Sequence, residues 1–276
     1  MESAKPFLRW AGSKRKQIPR LVKFWQANHV RYVEPFAGSA CLFFAIQPEK
    51  AILSDLNSEL IETYEIVRQH PEKVYNKIVH IPRVENIYYK IRAQDPNKLT
   101  PFNRAIRFIY LNRNCFNGIF RTNTNGMFNV PFATYRAGAF ITREEFILSS
   151  RLLERAVLRA CDFGKTLSQV RKGDFVYIDP PFAVKSRRVF CEYGAKPFNI
   201  DDLGRLEEHL RKIDARGADF LVSYADCKEA RQLAKSWNSF RIRVRRHIAG
   251  FAGARKMAYE LLITNMNSEI HNINDE

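Results

Sequence analysis

The sequence predicts a mixed α/β fold built on a doubly wound sheet, interrupted by an inserted and mainly helical segment at about residues 57–140. Short apolar runs bounded by turn residues alternate with segments of helical spacing, as in proteins with mostly parallel sheets. The last two strand-like runs follow each other closely, which indicates an antiparallel pair at the end of the chain. The stretch from 96 to 143 contains no Asp or Glu, which sets part of the inserted segment apart in composition.

The individual elements follow from where the apolar runs begin and end. Residues 32–36 and 51–54 are predicted as short buried strands, and Gly38 makes a turn before a helix over 40–47 that stops at Pro48. The remaining predicted elements are helices over 59–69, 100–112 and 201–215 and after Thr142, an Asn- and Gly-rich loop and hairpin over 114–131, and strands over 175–178, 220–223, 240–248 and 259–265.

Composition narrows the class of protein. The 276 residues carry 45 Lys and Arg against 29 Asp and Glu, and the net charge of +16 points to a polyanionic partner, nucleic acid first. The five cysteines form no Cys-x-x-Cys pair, so we expect neither a disulfide scaffold nor a metal site. The apolar runs are too short to span a membrane and the first residues resemble no secretory signal, so we expect a cytoplasmic protein with no membrane partner.

The acid-free stretch is rich in cations, aromatic rings and amides. A surface of this kind suits phosphates and base edges, because a carboxylate there would repel phosphate. An acid-poor buried segment is the alternative interpretation. The cations of the stretch are Lys98, Arg104, Arg107, Arg113, Arg121, Arg136 and Arg143.

A nucleoside site is predicted where the first strand meets the first helix. Glu34-Pro-Phe-Ala-Gly-Ser39 places a glycine turn after the strand, and Asp55 follows the second strand, 17 residues after Gly38. An acid in this place accepts hydrogen bonds from ribose hydroxyls, and the glycine lets the backbone approach the ligand. A single glycine supplies no cradle for a pyrophosphate, so a nucleoside without one, such as S-adenosylmethionine, fits better.

A second site is predicted at Asp179-Pro-Pro-Phe182, directly after an apolar strand. The prolines hold a stiff extended turn and contribute carbonyls without N–H donors. The Asp179 carboxylate and the Pro180 carbonyl can therefore accept both hydrogens of an exocyclic amino group, which makes its nitrogen a better nucleophile. Phe182 can stack on a base that has left the duplex. Together the two sites favour methylation of a base amino group.

Several segments carry motifs that occur together in one family, and they resemble the N6-adenine DNA methyltransferases of the Dam type (D12 class) over most of the chain. The similar segments are the opening motif Arg9-Trp-Ala-Gly-Ser-Lys14, the Phe-x-Gly loop within 34–43, the ribose step Ser54-Asp-Leu-Asn57, the recognition segment 108–132, the adenine step Cys161-Asp-Phe163, the motif at Asp179, and the closing hairpin with Arg255, Lys256 and 260–265.

The resemblance implies a Rossmann-like methyltransferase sheet with a target-recognition insertion. The catalytic domain would comprise 1–56 and 141–276, and the recognition domain 57–140 with a hairpin at about 114–135. The implied reaction transfers a methyl group from S-adenosyl-L-methionine to N6 of adenine in double-stranded DNA, at GATC or another GA-containing site, by base flipping. A monomer or weak dimer is expected, and nothing in the residues indicates a companion restriction endonuclease.

Site residues are carried over motif by motif. The expected catalytic residues are Asp179, Pro180, Pro181 and Phe182. The expected cofactor contacts are Trp10, Ala11, Gly12, Lys14, Glu34, Phe36, Ala37, Gly38, Ser39, Asp55, Leu56, Asp162 and Phe163, with Asp179 shared between cofactor and target base. The expected DNA contacts are Arg113, Asn114, Phe116, Asn117, Ile119, Arg121, Asn129, Pro131, Tyr135 and Arg136.

Two departures from the family pattern concern single residues. The family's catalytic motif usually ends in Tyr where this chain has Phe182, and its opening motif commonly has Gly where this chain has Ser13. Stacking needs only the aromatic ring, so activity is expected to survive the loss of the hydroxyl.

Two other functions stay open beside this one: a catalytically inactive, sequence-specific DNA-binding protein and an RNA adenine methyltransferase. The intact Asp179-Pro-Pro181 disfavours the first, and the Dam-like recognition segment disfavours the second. A zinc deaminase is excluded because His70-Pro-Glu72 has no Cys pair to complete the zinc site.

Overall fold

A computed structural model describes residues 4–134, 139–181, 198–245 and 257–267, organised around one seven-stranded sheet. Three of the predicted site residues, Tyr135, Arg136 and Phe182, lie outside the described residues. The strands are β1 (Arg31–Glu34), β2 (Ala51–Asp55), β3 (Ala156–Ala160), β4 (Asp174–Ile178), β5 (Asp219–Ala225), β6 (Asn238–Arg245) and β7 (Met257–Thr264).

The strands lie in the order β3-β2-β1-β4-β5-β7-β6. Strands β1 to β5 pair in parallel, and β7 lies antiparallel between β5 and β6. From β1 the order proceeds to β2 and β3 on one side and to β4 and β5 on the other, so the chain winds in both directions. The doubly wound, Rossmann-like α/β sheet predicted from the sequence is confirmed, together with the antiparallel pair at its end.

Several helices begin at side-chain caps that the sequence supplies. Thr142 with Glu145, and Asn199 with Asp202, form reciprocal capping boxes that satisfy the first free backbone N–H groups. The helices are α1 (Ile18–Leu21), α2 (Cys41–Ile46), α3 (Ser58–Gln69), α4 (Pro71–Val79), α5 (Glu85–Arg92), α6 (Pro101–Asn114), α7 (Arg143–Leu153), α8 (Phe163–Leu167), α9 (Ile200–Ala215) and α10 (Lys228–Leu233). Of these, none is long and apolar enough to cross a membrane within the described ranges.

The apolar residues form one core layer on each face of the sheet. Successive side chains of a strand point to opposite faces, so Tyr32 and Leu53 pack in one layer while Val33 and Ile52 pack in the other. Helices α2, α3, α6 and α7 contribute to the first layer, and α8 and α9 to the second. The two layers hold the strand ends in fixed relative positions.

The structure differs from the sequence-based prediction in several elements. Strand β1 ends at Glu34 rather than at residue 36, because Pro35 has no N–H to donate to a neighbouring strand. Strand β3 was not predicted, since it lies at the sheet edge and its outward positions include Arg159. Helices α4 and α5 were not predicted either. Residues 246–248 of the predicted strand 240–248 lie outside the described residues.

The segment predicted as an insertion is mainly helical. Helices α3 to α6 fill residues 58–114, and α3 packs on both α6 and α7. Their buried residues share one apolar layer with β1 and β2, so the segment is continuous with the core beneath the sheet. The division into separate domains therefore stays a prediction.

Candidate active site

The order in which the chain adds strands reverses between β1 and β4. The chain leaves these neighbouring parallel strands in opposite directions, and ligands of doubly wound sheets bind beyond the carboxyl ends of the strands at that point. Glu34 is the last residue of β1, and Asp179 directly follows β4. Both sequence-predicted sites thus meet at one edge of the sheet.

The loop after β1 depends on a glycine. Gly38 has φ +46°, and a Cβ atom there would lie 2.7 Å from Cδ1 of Trp10, far inside contact distance. Its N–H donates to Asp55 Oδ2 at 3.0 Å, and its carbonyl accepts a hydrogen bond of 2.6 Å from the Tyr64 hydroxyl. The loop is therefore fixed from three sides, with the Trp10 ring packed against its backbone.

Asp55 ends β2 beside this loop. Its other carboxylate oxygen accepts the Asn57 N–H at 2.9 Å. Burial raises the pKa of Asp55, and hydrogen bonds from the backbone of Asn57, Gly38 and Leu56 oppose that rise. Leu56 directly follows this acid and is 57% exposed, so it offers apolar surface next to Asp55.

Lys14 joins the opening motif to the end of β4. Its side chain is only 6% exposed, and its Nζ lies 2.9 Å from Glu260 Oε2 and 3.3 Å from Asp179 Oδ1. Burial alone would lower the pKa of Lys14, but the two carboxylates outweigh it and raise the pKa above its ordinary value. Lys14 is therefore a buried cation that bridges two acids at the sheet edge.

Glu34 is the most deeply buried acid of the site. It is 3% exposed, and its Oε2 accepts a hydrogen bond of 3.1 Å from the Tyr32 hydroxyl. Burial raises the pKa of Glu34 well above its usual range, and the negative charges of Asp179 and Asp55 add to the rise, whereas the Tyr32 hydrogen bond opposes it. This environment favours a neutral, hydrogen-bonding carboxyl at the base of the site.

An aromatic cluster lies beside the acids. Phe36 stacks on Phe163 with ring centroids 5.3 Å apart, and the Arg205 guanidinium lies 4.7 Å above the Phe163 ring. Asp162 caps α8 through the Gly164 N–H and also pairs with Arg205 at 2.6 Å. The predicted adenine step is thus close to the Phe-x-Gly loop.

The remaining predicted cofactor and catalytic residues line the same loops. Ala11 and Gly12 form the turn in which the Ser13 N–H donates to the Trp10 carbonyl at 3.1 Å. The Ala37 N–H donates to the Ser54 carbonyl at 2.9 Å, and Ser39 is buried. Pro180 is buried and Pro181 is half-buried after Asp179. Phe182 is outside the described residues.

The segment predicted as a hairpin has two isolated antiparallel bridges among its described residues. Cys115 pairs with Phe132, and Thr122 with Phe128. Among the predicted DNA contacts, Phe116 is 38% exposed, Asn117 and Pro131 are exposed, and Ile119 is half-buried. These side chains are accessible along one loop.

Arg121 is held in place within the hairpin. Its Nε donates to Asn129 Oδ1 at 2.8 Å, so one leg of the hairpin orients a guanidinium carried by the other. Such a fixed fork is suited to bidentate recognition of a base or a phosphate.

Arg113 and Asn114 lie inside the protein. Arg113 donates to the Ala139 carbonyl at 2.7 Å, and Asn114 Oδ1 accepts from Arg83 Nε at 2.8 Å. Burial and nearby arginines lower the pKa of Arg113 to about 10. Their placement favours support of the hairpin over direct contact with DNA.

The acid-free stretch of the sequence is not acid-free in space. Arg104 of α6 pairs with Glu62 of α3 at 2.7 Å, and Arg143 pairs with Glu72 of α4. The expectation of an acid-free surface is therefore wrong at these two cations, because carboxylates come from helices distant in sequence. Arg121 of the hairpin stays a candidate for DNA contact.

Four contributors to the site were not predicted from the sequence. Glu260 and Gln17 surround Lys14, Tyr64 fixes the Gly38 loop, and Phe120 stacks on Trp10 with planes 13° apart. Of these four, only Glu260 could have been identified from the sequence. An acid among the apolar residues of a buried strand needs a hydrogen-bonding or charged partner.

Comparison of the sequence with known proteins shows to which family the chain belongs. The family model described as D12 class N6 adenine-specific DNA methyltransferase matches residues 10–248. The chain belongs to this family. It is 30% identical over 270 residues to a Type II methyltransferase of Lactococcus lactis subsp. cremoris, with 95% of both chains covered. It is 31% identical over 287 residues to a Type II methyltransferase of Methanocaldococcus jannaschii, with 95% of this chain and 99% of the relative covered. It is 29% identical over 267 residues to the DNA adenine methylase of Escherichia coli K12, again with 95% of both chains covered.

Membership of the D12 class indicates which reaction takes place at this end of the sheet. Methyl transfer to adenine in DNA needs a methyl donor and an adenine amino group at one place, and this D12-class chain joins its two predicted sites at one sheet edge. Lys14 physically connects them, because it contacts Asp179 while its own segment packs on the Gly38 loop through Trp10.

Proposed function

We propose that this chain transfers a methyl group from S-adenosylmethionine to N6 of adenine in double-stranded DNA. The observation that carries the proposal is the convergence of Lys14, Asp55 and Asp179 at the switch point of the sheet. The proposal further includes a monomer or weak dimer that acts on DNA in the cytoplasm, associated with the nucleoid.

The residues present fit S-adenosylmethionine. The group supplies a methyl carried on a positively charged sulfur, beside a ribose and an amino-acid end. Asp55 ends β2 where an acid receives ribose hydroxyls, and the absence of a side chain at Gly38 lets the Trp10 ring pack against the loop. Two acids, Asp179 and Glu260, flank the ammonium group of Lys14, and this arrangement suits a cationic ligand with a carboxylate end.

The chain's own residues orient the target base. Asp179 and the Pro180 carbonyl accept the two hydrogens of the adenine amino group, which leaves the nitrogen lone pair available for methylation. Lys14 Nζ lies 3.3 Å from Asp179 Oδ1 and holds that carboxylate in place. Rate enhancement then comes mainly from proximity and orientation, with no covalent intermediate on the enzyme.

Recognition of the target is assigned to the hairpin. Arg121, oriented by Asn129, contacts the guanine that precedes the target adenine through O6 and N7. Phe116 is exposed at the start of the hairpin and can enter the base stack as the adenine leaves the duplex. Ile119 and Pro131 pack on thymine methyl groups. These contacts favour GATC or another GA-containing site.

The test uses purified protein, radiolabelled S-adenosylmethionine and four matched substrates. These are a duplex with GATC, a duplex with the first guanine replaced, a single strand, and an RNA of the same sequence. We expect label on adenine N6 of the first duplex and much less on the others. Equal labelling of the RNA would favour an RNA methyltransferase, and binding without labelling would favour an inactive DNA-binding protein.

A further inference from the structure

We propose that Glu260 is a positioning residue that fixes Lys14 and shares its charge, so that Asp179 stays available to the target amino group. This inference rests on the proposed function, because it concerns the same site. Glu260 lies on β7, far in sequence from the opening motif and from the residues that follow β4.

Three side chains converge on one oxygen of Glu260. Lys14 Nζ lies 2.9 Å from Oε2, Gln17 Nε2 donates to it at 3.0 Å, and the Ser223 hydroxyl lies 3.5 Å away. These partners come from the opening motif, the short helix that follows it, and β5. Glu260 thus connects the opening segment to the neighbouring strands β5 and β7.

The burial of Glu260 is costly unless the charge has a function or a partner. The residue is 4% exposed, and Leu261, Leu262 and Ile263 follow it in the core. Removing a carboxylate from water costs several kcal/mol in a protein interior, and a partner cation must offset that cost. An apolar residue would stabilise the strand more simply, so the acid indicates a requirement at Lys14.

Lys14 lies at different distances from its two acids. Its Nζ is closer to Glu260 than to Asp179, by the difference between 2.9 Å and 3.3 Å. Without Glu260, Asp179 would become the main partner of a buried cation. A carboxylate held by a close ammonium is a weaker acceptor for an adenine amino group, because its lone pairs are already engaged.

The electrostatic surroundings of Lys14 are acidic on several sides. Asp179 follows β4 and Glu260 lies on β7; both raise the pKa of Lys14, although its burial opposes them. Glu34 of β1 and Tyr177 of β4 also lie within electrostatic reach of Asp179. Replacing Glu260 with a neutral residue therefore lowers the pKa of Lys14.

The test compares Glu260→Gln with the control Asp174→Asn. Asp174 is a buried acid at the other end of β4, paired with Arg31, so its loss tests general damage to the sheet. We expect Glu260→Gln to lower kcat about tenfold, the ratio that corresponds to about 1.4 kcal/mol, with DNA affinity unchanged. Asp174→Asn should lower the melting temperature without changing kcat per folded molecule.

A pH series separates positioning from a structural role. The ammonium of Lys14 binds the ligand only below its pKa, so the Glu260→Gln variant should lose affinity for S-adenosylhomocysteine at lower pH than the wild type. Calorimetric titrations at each pH give the dissociation constant of S-adenosylhomocysteine for the variant and for the wild type. Protonation of the ligand affects both constants equally, so it does not change the ratio of variant to wild type. We expect the ratio to increase from pH 7 to pH 10.

A double-mutant cycle keeps the proposal testable if stability changes. In a Lys14→Met background, Glu260→Gln should have much less effect on kcat and on ligand affinity than in the wild type. Equal effects in both backgrounds, or a ratio that does not change with pH, would overturn the assignment of Glu260. Failure of the wild type to methylate any DNA would instead overturn the proposed function.

Discussion

At the scale of single residues, Asp179 carries the largest part of the proposed chemistry. Asp179→Ala removes an acceptor for the target amino group, so we expect methyl transfer to fall by on the order of a hundredfold or more. DNA affinity should persist, because the hairpin lies elsewhere. Incorporation of labelled methyl groups measures the first and fluorescence anisotropy the second. Transfer at a rate close to the wild type would refute the assignment.

Arg121 distinguishes base recognition from phosphate binding. If it contacts guanine, Arg121→Ala should relax preference at one guanine position by about 1–3 kcal/mol. If it contacts a phosphate, the variant should weaken binding to every sequence alike and reduce the salt slope by about one. Asn129→Ala, which removes the orienting contact, should give a smaller change of the same kind. Competition assays over single-base variants of the site decide between these outcomes.

At the scale of elements, the turn after β4 should depend on an aromatic ring. Phe182 directly follows Pro181 in the sequence, and its ring is assigned to stacking on the flipped adenine. Phe182→Ala should cost roughly 1–3 kcal/mol of base binding, whereas Phe182→Tyr should be close to neutral. Steady-state methylation of one duplex by both variants is the measurement. An alanine variant as active as the wild type would place the target base elsewhere.

The opening segment contacts both helix α6 and the hairpin. Arg9 exchanges hydrogen bonds with Asn112 of α6, with distances of 2.8 Å and 2.6 Å, and Trp10 lies between the Gly38 loop and Phe120. A structural change in the hairpin can therefore shift the predicted cofactor loop, because Phe120 contacts Trp10 and Trp10 contacts Gly38. This joint follows from packing between distant segments.

Elements set by local sequence were predictable, and those set by distant partners were not. The strand before Gly38 and the strand before Asp179 stand out as apolar runs that end in turns, and both are present. Strand β3 has no such run, since an edge strand buries only part of its surface. Glu260 belongs to the closing motif, but the sequence assigned it no role, because only folding brings it close to Lys14.

The candidate site shows the same division. Gly38, Asp55 and Asp179 lie at or after the carboxyl ends of parallel strands, and strand order brings these ends to one side of the sheet. Lys14 joins them through its ion pair with Asp179, and the roles of all four residues stay predictions. The expected basic surface was only partly correct. Charge counted along the sequence does not include carboxylates that approach from other helices, as Glu62 does for Arg104.

At the scale of the whole molecule, the buried acids of the site reduce stability at neutral pH. The pKa of Glu34 is raised by folding, so its contribution to stability is full below its unfolded pKa and is lost as pH rises through the folded value. Glu34→Gln keeps an acceptor for the Tyr32 hydroxyl but has no charge. We expect its melting temperature to exceed that of the wild type at pH 8 and to match it near pH 4. A difference that grows toward acid pH would contradict this sign.

The central claim is that the folded chain methylates adenine in GA-containing double-stranded DNA. It is tested most directly by sequencing that detects N6-methyladenine in the DNA of methylation-deficient cells expressing this protein. Cells expressing Asp179→Ala at equal level serve as the control. We expect methylated adenines preceded by guanine, concentrated at GATC or a related site and absent from the control. Methylated adenines with no preference for a preceding guanine would refute this expectation, as would an unmodified genome in cells that contain the folded wild-type protein.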